Sequence, residues 1–352
     1  MAKLILSGQV TTGQGQGASF TRLDWVRRQF ITKLGIDPYP GTLNLSLNHP
    51  ADQALWADLK TNADGLIVPP DPAWCLARSY PVRIAGRVPG AIILPEAPDY
   101  PETQVEVVAA LPLRQTLSLA DGDNLACEIS RPLPVRAVIF DVDGTLVDTV
   151  DAYHTVAELV AAPHGLPVSR EMVCYALNNN HPTFWELVVP ADRPNRLELM
   201  EALKEEAMRR WPEVLRAHGR VVPGLGDTLV ALRDRGWRLG IVTASYGGSF
   251  QPLRDEGLLE FFEAIITGAD VVHRKPDPEG LLKCAAALGV EPGEVVYVGD
   301  TPTDVLTSRA AGMAAVSVLS GAGDSALLSA AAPDRIIYSH ARLPEILVDA
   351  SL

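Results

Sequence analysis

The chain has 352 residues, of which 47% are hydrophobic and 21% are charged, and its formal net charge is −13. This length predicts two or more domains, and the composition is typical of soluble globular proteins. The acidic balance without a basic patch argues against nucleic-acid binding. No run of 18 apolar residues predicts a membrane span. The start MAKLILSGQV lacks the pattern of a signal peptide, so we expect a cytoplasmic protein.

The four cysteines are scattered and none belongs to a CxxC pair. They are Cys75, Cys127, Cys174 and Cys284. This spacing argues against a zinc site and against a disulfide framework, and it predicts buried free thiols.

The first predicted element is a strand over residues 3–10, followed by the glycine-rich stretch TTGQGQGASF. Glycines at positions 13, 15 and 17 predict a loop whose backbone N–H groups can cradle a phosphate. A plain flexible hairpin is equally consistent with the pattern. The stretch is not a P-loop, because no GK[ST] follows it.

An amphipathic helix and a turn come next. Leu23, Val26, Phe30 and Leu34 are spaced as on one helix face, and the helix is predicted to end at Gly35. The string PYPGTLNLSL then predicts a rigid turn that leads into an alternating strand. A second alternating run covers residues 104–108.

Four strings in residues 1–131 together resemble the CTP-dependent riboflavin kinase family of archaea. They are GQVTTGQGQGASF, LGIDPYPGTLNLSL, PGAIILPEAPDYPETQVEVVA and LRQTLSLADGD. The resemblance implies a small, mainly β barrel that transfers phosphate from CTP to riboflavin. It departs from the family pattern at Pro98, where relatives often carry a flavin-contacting threonine.

The same resemblance implies site residues for this barrel. Thr42 and Asn44 would bind Mg²⁺ through oxygen atoms, and Glu106 would contact the flavin. The nucleotide would be held by Gln14, Gly15, Gln16, Gly17, Ala18, Ser19, Leu111, Pro112, Leu113 and Arg114. Four of these residues have a structural alternative. Thr42 and Asn44 fit a turn pair that bonds its own backbone, Glu106 fits a solvent-facing strand residue, and Arg114 fits a solvated surface residue.

Residues 132–136 contain Pro132 and Pro134 and predict a short, stiff linker. Beyond it, the apolar run of residues 137–140 leads directly into Asp141 and Asp143. Such a run predicts a buried strand of a parallel sheet that delivers two carboxylates to the sheet edge. Two neighbouring carboxylates that stay ionised need a cation such as Mg²⁺. An isolated DxDGT string is also typical of a capped turn.

Helical patterns dominate the next stretch. We predict helices over residues 152–161, 171–178 and 197–217. The run Asn178-Asn179-Asn180-His181 reads either as a substrate contact or as a capped loop. From residue 224 onward helices and strands alternate, which predicts a parallel sheet covered by helices on both faces.

Three further motifs follow Asp141 in a fixed order. Thr243 ends the apolar run 239–242, Lys275 lies in RKPDP, and Asp300 and Asp304 lie in GDTPTD after the apolar run 295–298. Taken singly, Thr243 fits a strand-end cap, Lys275 a surface lysine, and Asp304 a charge at a helix N-terminus. Four motifs in this order are jointly consistent with one site.

In this order the motifs resemble the haloacid dehalogenase-like (HAD) phosphohydrolase family, over residues 137–352. The resemblance implies an α/β, Rossmann-like core with Asp141 as nucleophile and Asp143 as general acid and base. Thr243 and Lys275 would bind the phosphoryl group, and Asp300 would hold Mg²⁺ together with Asp141 and Asp143. Asp304 would support Lys275 or the metal. The helical insertion, about residues 150–220, resembles the cap of the phosphoglycolate-phosphatase-like branch, which closes over its substrate.

These resemblances lead to the hypothesis of a bifunctional flavin-pathway enzyme whose substrates are riboflavin, CTP and a phosphate monoester. The ester would be 5-amino-6-(5-phosphoribitylamino)uracil, because a kinase tethered to an FMN hydrolase would run a futile cycle. Three alternatives remain open. The second domain is an FMN hydrolase, or it is a phosphoglycolate-type phosphatase, or the barrel is a flavin or nucleotide sensor without catalysis.

Overall fold

The computed structural model of the chain describes residues 4–13, 17–60, 65–71, 74–97, 100–179, 184–245 and 248–350. The described residues form two compact units. The first contains the chain up to Arg131 together with the segment Asp324–Tyr338, and the second contains Pro132–Gly323 and the residues from Ser339 onward.

The first unit contains seven strands and four helices among its described residues up to Arg131. The strands are β1 (Ile5–Thr11), β2 (Leu43–Ser46), β3 (Gly65–Ile67), β4 (Ala77–Ile84), β5 (Val88–Pro95), β6 (Gln104–Ala109) and β7 (Asn124–Ile129). The helices are α1 (Gly17–Thr21), α2 (Asp24–Leu34), α3 (Pro50–Leu59) and α4 (Leu113–Thr116).

These strands form an antiparallel barrel. Their order is β3-β4-β5-β6-β2-β1-β7, and a further pairing of β4 with β7 closes the sheet on itself. Alternate residues of the strands point inward, so that side chains such as Leu45, Val105 and Val107 form the core with Trp56 and Tyr80. The mainly β barrel that the resemblance implied is confirmed.

Helix α2 follows its predicted pattern. Val26 and Phe30 are buried, and the helix ends at Gly35, which adopts the left-handed conformation expected of a helix C-cap. Residues 17–19, the end of the predicted nucleotide-binding stretch, belong to helix α1.

The remaining elements follow residue 132. The strands are β8 (Leu133–Val135), β9 (Ala137–Phe140), β10 (Val147–Asp148), β11 (Arg220–Val221), β12 (Arg238–Val242), β13 (Ala264–Ile266), β14 (Val295–Gly299), β15 (Ala314–Val318), β16 (Arg335–Ile337) and β17 (Leu347–Asp349). The helices are α5 (Val150–Ala161), α6 (Arg170–Asn178), α7 (Trp185–Val188), α8 (Arg196–His218), α9 (Leu225–Asp234), α10 (Gln251–Asp255), α11 (Glu279–Leu288), α12 (Pro302–Ala310), α13 (Ser325–Ala331) and α14 (Leu343–Ile346). Single 3-10 turns cover residues 162–164, 248–250, 259–261, 292–294 and 340–342.

Five parallel strands form the core sheet of the second unit, in the order β13-β12-β9-β14-β15. Every residue of β9 is buried, as expected for a central strand with helices on both faces. Strands β12 and β14 flank β9, so the carboxyl ends of these three strands meet at one edge of the sheet. The predicted alternation of helices and strands, and the α/β core, are confirmed.

A helical cap is inserted between β9 and β12. Strands β10 and β11 pair antiparallel where the chain leaves the core and returns to it, and helices α5 to α8 lie between them. Helices α5, α6 and α8 match the three predicted helices within two residues at each end. The cap has its own apolar core, which includes Ala157, Trp185 and Leu203.

Two features differ from the sequence-based expectations. Residues 133–135, read as part of a linker, form strand β8, which pairs in parallel with β17. Pro134 is compatible with this strand because a two-stranded ribbon leaves one side of each strand free of ladder hydrogen bonds. The segment Asp324–Tyr338 belongs to the first unit, where Ser325 Oγ donates to the carbonyl of Gly35 at 2.8 Å.

All four cysteines are free thiols. Cys127 and Cys284 are buried as expected, whereas Cys75 is exposed and corrects that expectation. Within the described ranges, no helix combines the length and apolarity that crossing a membrane requires.

Candidate active sites

The carboxyl ends of β9, β12 and β14 carry the first candidate site. Asp141 follows β9, Thr243 follows β12, and Asp300 follows β14. Lys275 comes from the loop that precedes α11, and Asp304 lies in the first turn of α12. Because neighbouring parallel strands end at the same sheet edge, residues more than 150 positions apart in sequence meet in one place.

Lys275 is held between two carboxylates. Its Nζ donates to Asp141 Oδ1 at 2.6 Å and to Asp304 Oδ1 at 2.9 Å, and each of the three side chains is at most 10% exposed. Burial works to lower the pKa of Lys275, but the charges of Asp141 and Asp304 outweigh it and raise that pKa. The lysine therefore carries a fixed positive charge in this site.

The two aspartates respond differently to this lysine. Burial raises the pKa of Asp141 to about 7, and Lys275 offsets only part of that rise. Burial also acts to raise the pKa of Asp304, but Lys275 and the hydrogen bonds from Thr301 lower it below its usual value. Thr301 donates to Asp304 Oδ2 through its N–H at 3.1 Å and its Oγ1 at 2.7 Å, so this carboxylate is fixed.

Asp300 is enclosed by backbone and hydroxyl groups. The N–H of Ala322 donates to Oδ2 at 2.9 Å, and Thr145 Oγ1 donates to Oδ1 at 3.2 Å. Gly144 has a φ of +79°, and a Cβ there would lie 2.3 Å from Asp300 Oδ2, so only glycine fits. Burial, with the charges of Asp304 and Asp141, raises the pKa of Asp300 well above its usual value.

Asp141, Asp300 and Asp304 have the arrangement of a metal centre. All three are buried, and one carboxylate oxygen of each lies within 4.8 Å of the others. Three acids facing one lysine leave excess negative charge in a dry site, which a divalent cation would neutralise. Hard oxygen donors of this kind fit Mg²⁺. Both carboxylate oxygens of Asp304 accept two hydrogen bonds each, from Lys275, Tyr297 and Thr301. Asp141 and Asp300 accept fewer among the described contacts, so they are the side chains best placed to hold the ion.

Asp143, which the sequence analysis also assigned to the metal, lies outside this group of three carboxylates. Ser249 Oγ donates to Asp143 Oδ1 at 2.6 Å, and the hydroxyls of Thr149 and Tyr153 also hydrogen-bond to its carboxylate. Burial raises the pKa of Asp143, and the three hydroxyls partly counteract that rise. This carboxyl is thus oriented by hydroxyl donors and retains a proton more readily than an exposed aspartate, as an acid–base group requires.

Thr243 is buried at the end of β12, and its Oγ1 accepts a hydrogen bond from the N–H of Ser245 at 3.1 Å. Tyr297 lies beneath the site on β14. Its hydroxyl is 3.1 Å from Asp304 Oδ1, and Lys275 Nζ lies 5.0 Å from the centre of its ring. Tyr297 therefore supports the lysine and its aspartate from below.

A cavity of about 710 Å³ opens above these residues, between the core and the cap. Its floor includes Asp141, Asp143, Thr243, Lys275 and Asp300. Its cap wall is mainly apolar and aromatic, and includes Tyr153, Val156, Val173, Leu177, Phe184, Trp185, Met208 and Trp211. A polar floor under an apolar wall suits a molecule with a charged end and an apolar or planar end.

The run Asn178–His181 does not line this cavity as far as it is described. The Asn178 Nδ2 donates to the carbonyl of Ala322 at 2.8 Å, which ties the end of α6 to the loop around Asp300. Asn179 Nδ2 donates to the carbonyl of Tyr175 at 2.8 Å, as in a capped helix end. Asn180 and His181 lie outside the described residues.

The second candidate site lies on the barrel, where β2 pairs with β6. Asn44 and Glu106 are direct partners across this strand pair, and Thr42 precedes β2. Glu106 hydrogen-bonds to Thr42 and accepts from Tyr100 Oη at 3.2 Å, while Gln104 Nε2 donates to Asn44 Oδ1 at 3.4 Å. Burial raises the pKa of Glu106, and these hydroxyl contacts offset part of the rise. Residues that the sequence assigned to metal and flavin therefore lie side by side.

The described ends of the glycine-rich stretch lie against this cluster. A Cβ on Gly13 would be 1.9 Å from Asn44 Nδ2, and one on Gly17 would be 2.4 Å from Thr42 Oγ1. Only glycine permits these approaches. Ala18 and Ser19 follow in α1, whereas Gln14, Gly15 and Gln16, like Pro98, lie outside the described residues.

Residues 111–114, the second segment predicted to bind the nucleotide, are less accessible than expected. Leu113 is buried in the barrel core, so any nucleotide contact would come from its backbone, and the partly buried Leu111 packs against the same core. The Nη2 of Arg114 donates to the carbonyl of Thr11 at 3.1 Å and to Asp121 Oδ1 at 2.6 Å. This guanidinium is thus held beside β1, next to the glycine-rich stretch.

Sequence reasoning missed several side chains of both sites. Tyr297 could have been noticed as the one polar residue in the buried string VVYVG. Tyr100 and Gln104 lie within six residues of Glu106 in the sequence. The alternation of strand residues does not reveal that Tyr100 hydrogen-bonds to Glu106 and that Gln104 hydrogen-bonds to Asn44. Ser249 and Tyr153 carry no local signal, because they reach Asp143 only through the fold of the cap and the loop after β12.

Two family models match the chain. The model of haloacid dehalogenase-like hydrolases matches residues 135–312. The model of CTP-dependent riboflavin kinases, described as a domain of unknown function (DUF120), matches residues 10–129. The matches agree with the two sites described above, one in each unit.

Curated relatives and solved structures agree with the first of these families. The chain is 31% identical over 217 residues to a phosphoglycolate phosphatase of Chromobacterium violaceum, covering 60% of this chain and 96% of the relative. It is 36% identical over 180 residues to a phosphoglycolate phosphatase of Cereibacter sphaeroides, covering 50% of this chain and 81% of the relative.

Among solved structures, a putative haloacid dehalogenase-like hydrolase from Bacteroides fragilis has a TM-score of 0.52 and 30% identity, covering 58% of this chain and 97% of that chain. A predicted phosphoglycolate phosphatase from Haemophilus somnus has a TM-score of 0.56 at 23% identity, covering 60% and 97%, and shares the fold. The chain belongs to the haloacid dehalogenase-like hydrolase family and carries a CTP-dependent riboflavin kinase domain before its hydrolase domain.

Proposed function

We propose that the chain is a bifunctional enzyme of flavin synthesis. Its hydrolase domain removes phosphate from 5-amino-6-(5-phosphoribitylamino)uracil, and its barrel transfers the γ-phosphate of CTP to riboflavin, giving FMN and CDP. The observation that carries the proposal is the cavity of about 710 Å³ with an apolar, aromatic cap wall, in a chain that also has a riboflavin kinase domain.

The hydrolase site supports a two-step mechanism. Asp141 attacks phosphorus, the bond from phosphorus to the ester oxygen breaks, and Asp143 gives its proton to the leaving oxygen. Asp143 then takes a proton from the water that hydrolyses the aspartyl phosphate. Lys275 and Thr243 bind the phosphoryl oxygens, and Asp304 holds Lys275. Mg²⁺, when bound at Asp141 and Asp300, supplies the charge neutralisation that lets a carboxylate approach a phosphate.

The cavity favours an ester larger than a two-carbon acid. Its volume of about 710 Å³ is in the range of sites for drug-sized ligands. The only cationic lining residue on the cap is Lys204, among the residues that the structure describes, and this lysine is paired with Glu201 at 3.1 Å. A second anionic group would gain little from such a wall, whereas an uncharged ring would be well accommodated.

The barrel site supports phosphoryl transfer by positioning. Thr42 and Asn44 offer the neutral oxygen donors assigned to Mg²⁺, and Glu106 beside them would hold the flavin. The glycine-rich stretch and Arg114 would bind the phosphates of CTP. Riboflavin's terminal hydroxyl oxygen would form the new bond to the γ-phosphorus, and CDP would leave.

Phosphoglycolate is a second candidate substrate of the hydrolase domain, because relatives at 31% and 36% identity carry that name. FMN is a third, since its flavin ring would also suit the apolar wall. Hydrolysis of FMN would, however, reverse the reaction of the neighbouring kinase domain.

The test feeds all three esters to the full-length protein with Mg²⁺ and measures phosphate release. We expect the aminouracil ester to have a kcat/KM at least tenfold above both others, which is a difference of about 1.4 kcal/mol in transition-state binding. Asp141→Asn is the control for contaminating phosphatases. Equal slow turnover of all three esters, or a preference for phosphoglycolate, would overturn the proposed substrate.

A further inference from the structure

Two aromatic residues of the cap stack on each other in the wall of the cavity. Tyr153 of α5 and Trp211 of α8 have ring centres 4.4 Å apart and an interplanar angle of 28°. Both line the cavity, and both are only partly buried. A stacked pair with remaining exposed ring surface is a platform on which a further planar group can pack.

The pair is fixed at both ends. The hydroxyl of Tyr153 hydrogen-bonds to Asp143, while Trp211 packs against an apolar cluster that includes Val156, Val214 and Leu215. Trp211 therefore stands one tyrosine ring away from the catalytic floor. A phosphate bound at Lys275 needs a chain of several atoms to bring another group to the indole.

The surroundings of Trp211 are apolar. Met208 and Pro212 of the same helix also line the cavity, as does Ala157 of α5. Met208 is 64% exposed, so its side chain is accessible to a molecule that enters the cavity. This part of the wall is built to contact something that enters the cavity.

We propose that Trp211, held in place by stacking on Tyr153, is the specificity-determining residue of the hydrolase site and binds a planar ring carried by the phosphate ester. This inference rests on the proposed hydrolase function. It assigns the selected substrate class: phosphate monoesters in which a flexible chain separates the phosphate from a heterocyclic ring. Esters without a ring bind the floor alone.

The test compares two esters that differ in the ring, FMN and ribitol 5-phosphate, with wild type, Trp211→Leu and Trp211→Phe. FMN is a slow substrate under the proposed function, so both esters are assayed at high enzyme concentration. We expect Trp211→Leu to lower kcat/KM for FMN about tenfold, mainly through a higher KM, because one aromatic contact is lost. The value for ribitol 5-phosphate should change less than about twofold. Trp211→Phe, which keeps an aromatic face, should restore most of the activity on FMN.

Trp74→Leu is the matched control, because it removes a half-exposed indole of the barrel that is not part of the cavity lining. A Trp211→Leu variant that loses both activities equally while remaining folded would overturn the inference, as would a wild-type enzyme with no preference for the ring-bearing ester.

A measurement on the wild-type enzyme does not depend on variants that fold. The dephosphorylated aminouracil should inhibit hydrolysis of ribitol 5-phosphate at least tenfold more strongly than ribitol does, and equal inhibition would contradict ring binding. The proposed function could fail while this inference holds. The enzyme would then prefer FMN over ribitol 5-phosphate, through Trp211, but would not hydrolyse the aminouracil phosphate.

Discussion

The two candidate sites handle charge in opposite ways. The hydrolase site gathers Asp141, Asp300 and Asp304 around a single lysine, and each of these side chains is largely withdrawn from water. The barrel site offers a hydroxyl and an amide, Thr42 and Asn44, beside one partly buried carboxylate, Glu106. In the proposed mechanisms the first site supplies its own nucleophile, whereas the second only positions two substrates.

This difference follows from the chemistry of each transfer. A covalent aspartyl intermediate needs a protein carboxylate, which in turn needs cations to approach a phosphate. Direct transfer from a bound nucleotide brings the negative charge with the substrate, so neutral oxygen donors and backbone N–H groups are sufficient. Substitution of a carboxylate in the hydrolase site should therefore reduce phosphatase activity alone. Substitution of a neutral oxygen donor in the barrel site should reduce kinase activity alone.

The largest effect should come from Asp141→Asn. We expect phosphatase activity to fall by about 10⁴-fold or more, because the nucleophile is lost. Riboflavin phosphorylation by the same protein should stay unchanged. Phosphate release from p-nitrophenyl phosphate and FMN formation from CTP give the two rates. Loss of both activities would show that the sites do not work separately.

Asn44→Leu should have the reverse effect. Losing one Mg²⁺ ligand oxygen should reduce FMN formation by about 10²-fold, comparable to removing one electrostatic group from an active site. Phosphatase activity should not change. Asn48→Leu, at an exposed asparagine four residues along, is the matched control. Equal losses in both variants would contradict the assignment of Asn44.

The hydrolase site should also make metal-free stability depend on pH. The pKa of Asp141 is raised from 3.8 to about 7 in the folded chain, so the folded state binds a proton that the unfolded state releases. Stability without Mg²⁺ should therefore fall as pH rises from about 4 to 7. In EDTA, we expect the melting temperature at pH 5 to exceed that at pH 7.5 by about 5 °C.

Asp141→Asn should reduce this dependence, since the amide does not titrate, while the raised pKa values of Asp143 and Asp300 leave a part of it. Saturating Mg²⁺ should also reduce it, because the ion stabilises the ionised carboxylate. A wild-type melting temperature that rises with pH over this interval would contradict the burial-driven shift.

The smallest effect is expected for Ser249→Ala. Loss of the 2.6 Å hydrogen bond to Asp143 should slow hydrolysis of alkyl phosphates about tenfold. The aryl ester p-nitrophenyl phosphate should be affected less, because its leaving group needs no proton. Ser308→Ala, which removes another buried hydroxyl contact, to the carbonyl of Met313, is the control. Equal slowing of both ester classes would argue against an acid–base role for Asp143.

Much of the hydrolase fold could be predicted from local pattern. The run 137–140 and the alternation after residue 224 identified a parallel sheet, because fully buried strands leave long apolar runs. The residues that follow these strands, Asp141, Thr243 and Asp300, could be placed at one edge because the carboxyl ends of parallel strands lie at the same edge of a sheet. Helices of the cap were found because their amphipathic period is long and regular.

The unpredicted features depend on contacts between distant segments. Strand β4 and helix α3 carry no motif, and they form because they pack into the closed barrel. Strand β8 was read as a linker, since its pairing with β17 joins residues more than 200 positions apart. The hydroxyls around Asp143 come from α5 and from the loop after β12, and no local period links those segments. Arg114 looked free in the sequence, whereas its partner Asp121 becomes apparent only in the fold.

The most direct test of the central claim uses one incubation. The full-length protein and its Asp141→Asn variant are supplied with Mg²⁺, CTP and riboflavin, and FMN is followed by chromatography. An active kinase and a hydrolase specific for the upstream ester predict FMN accumulation at equal rates in both proteins. FMN that accumulates only in the variant would identify the hydrolase as an FMN phosphatase, and FMN in neither would contradict the kinase assignment.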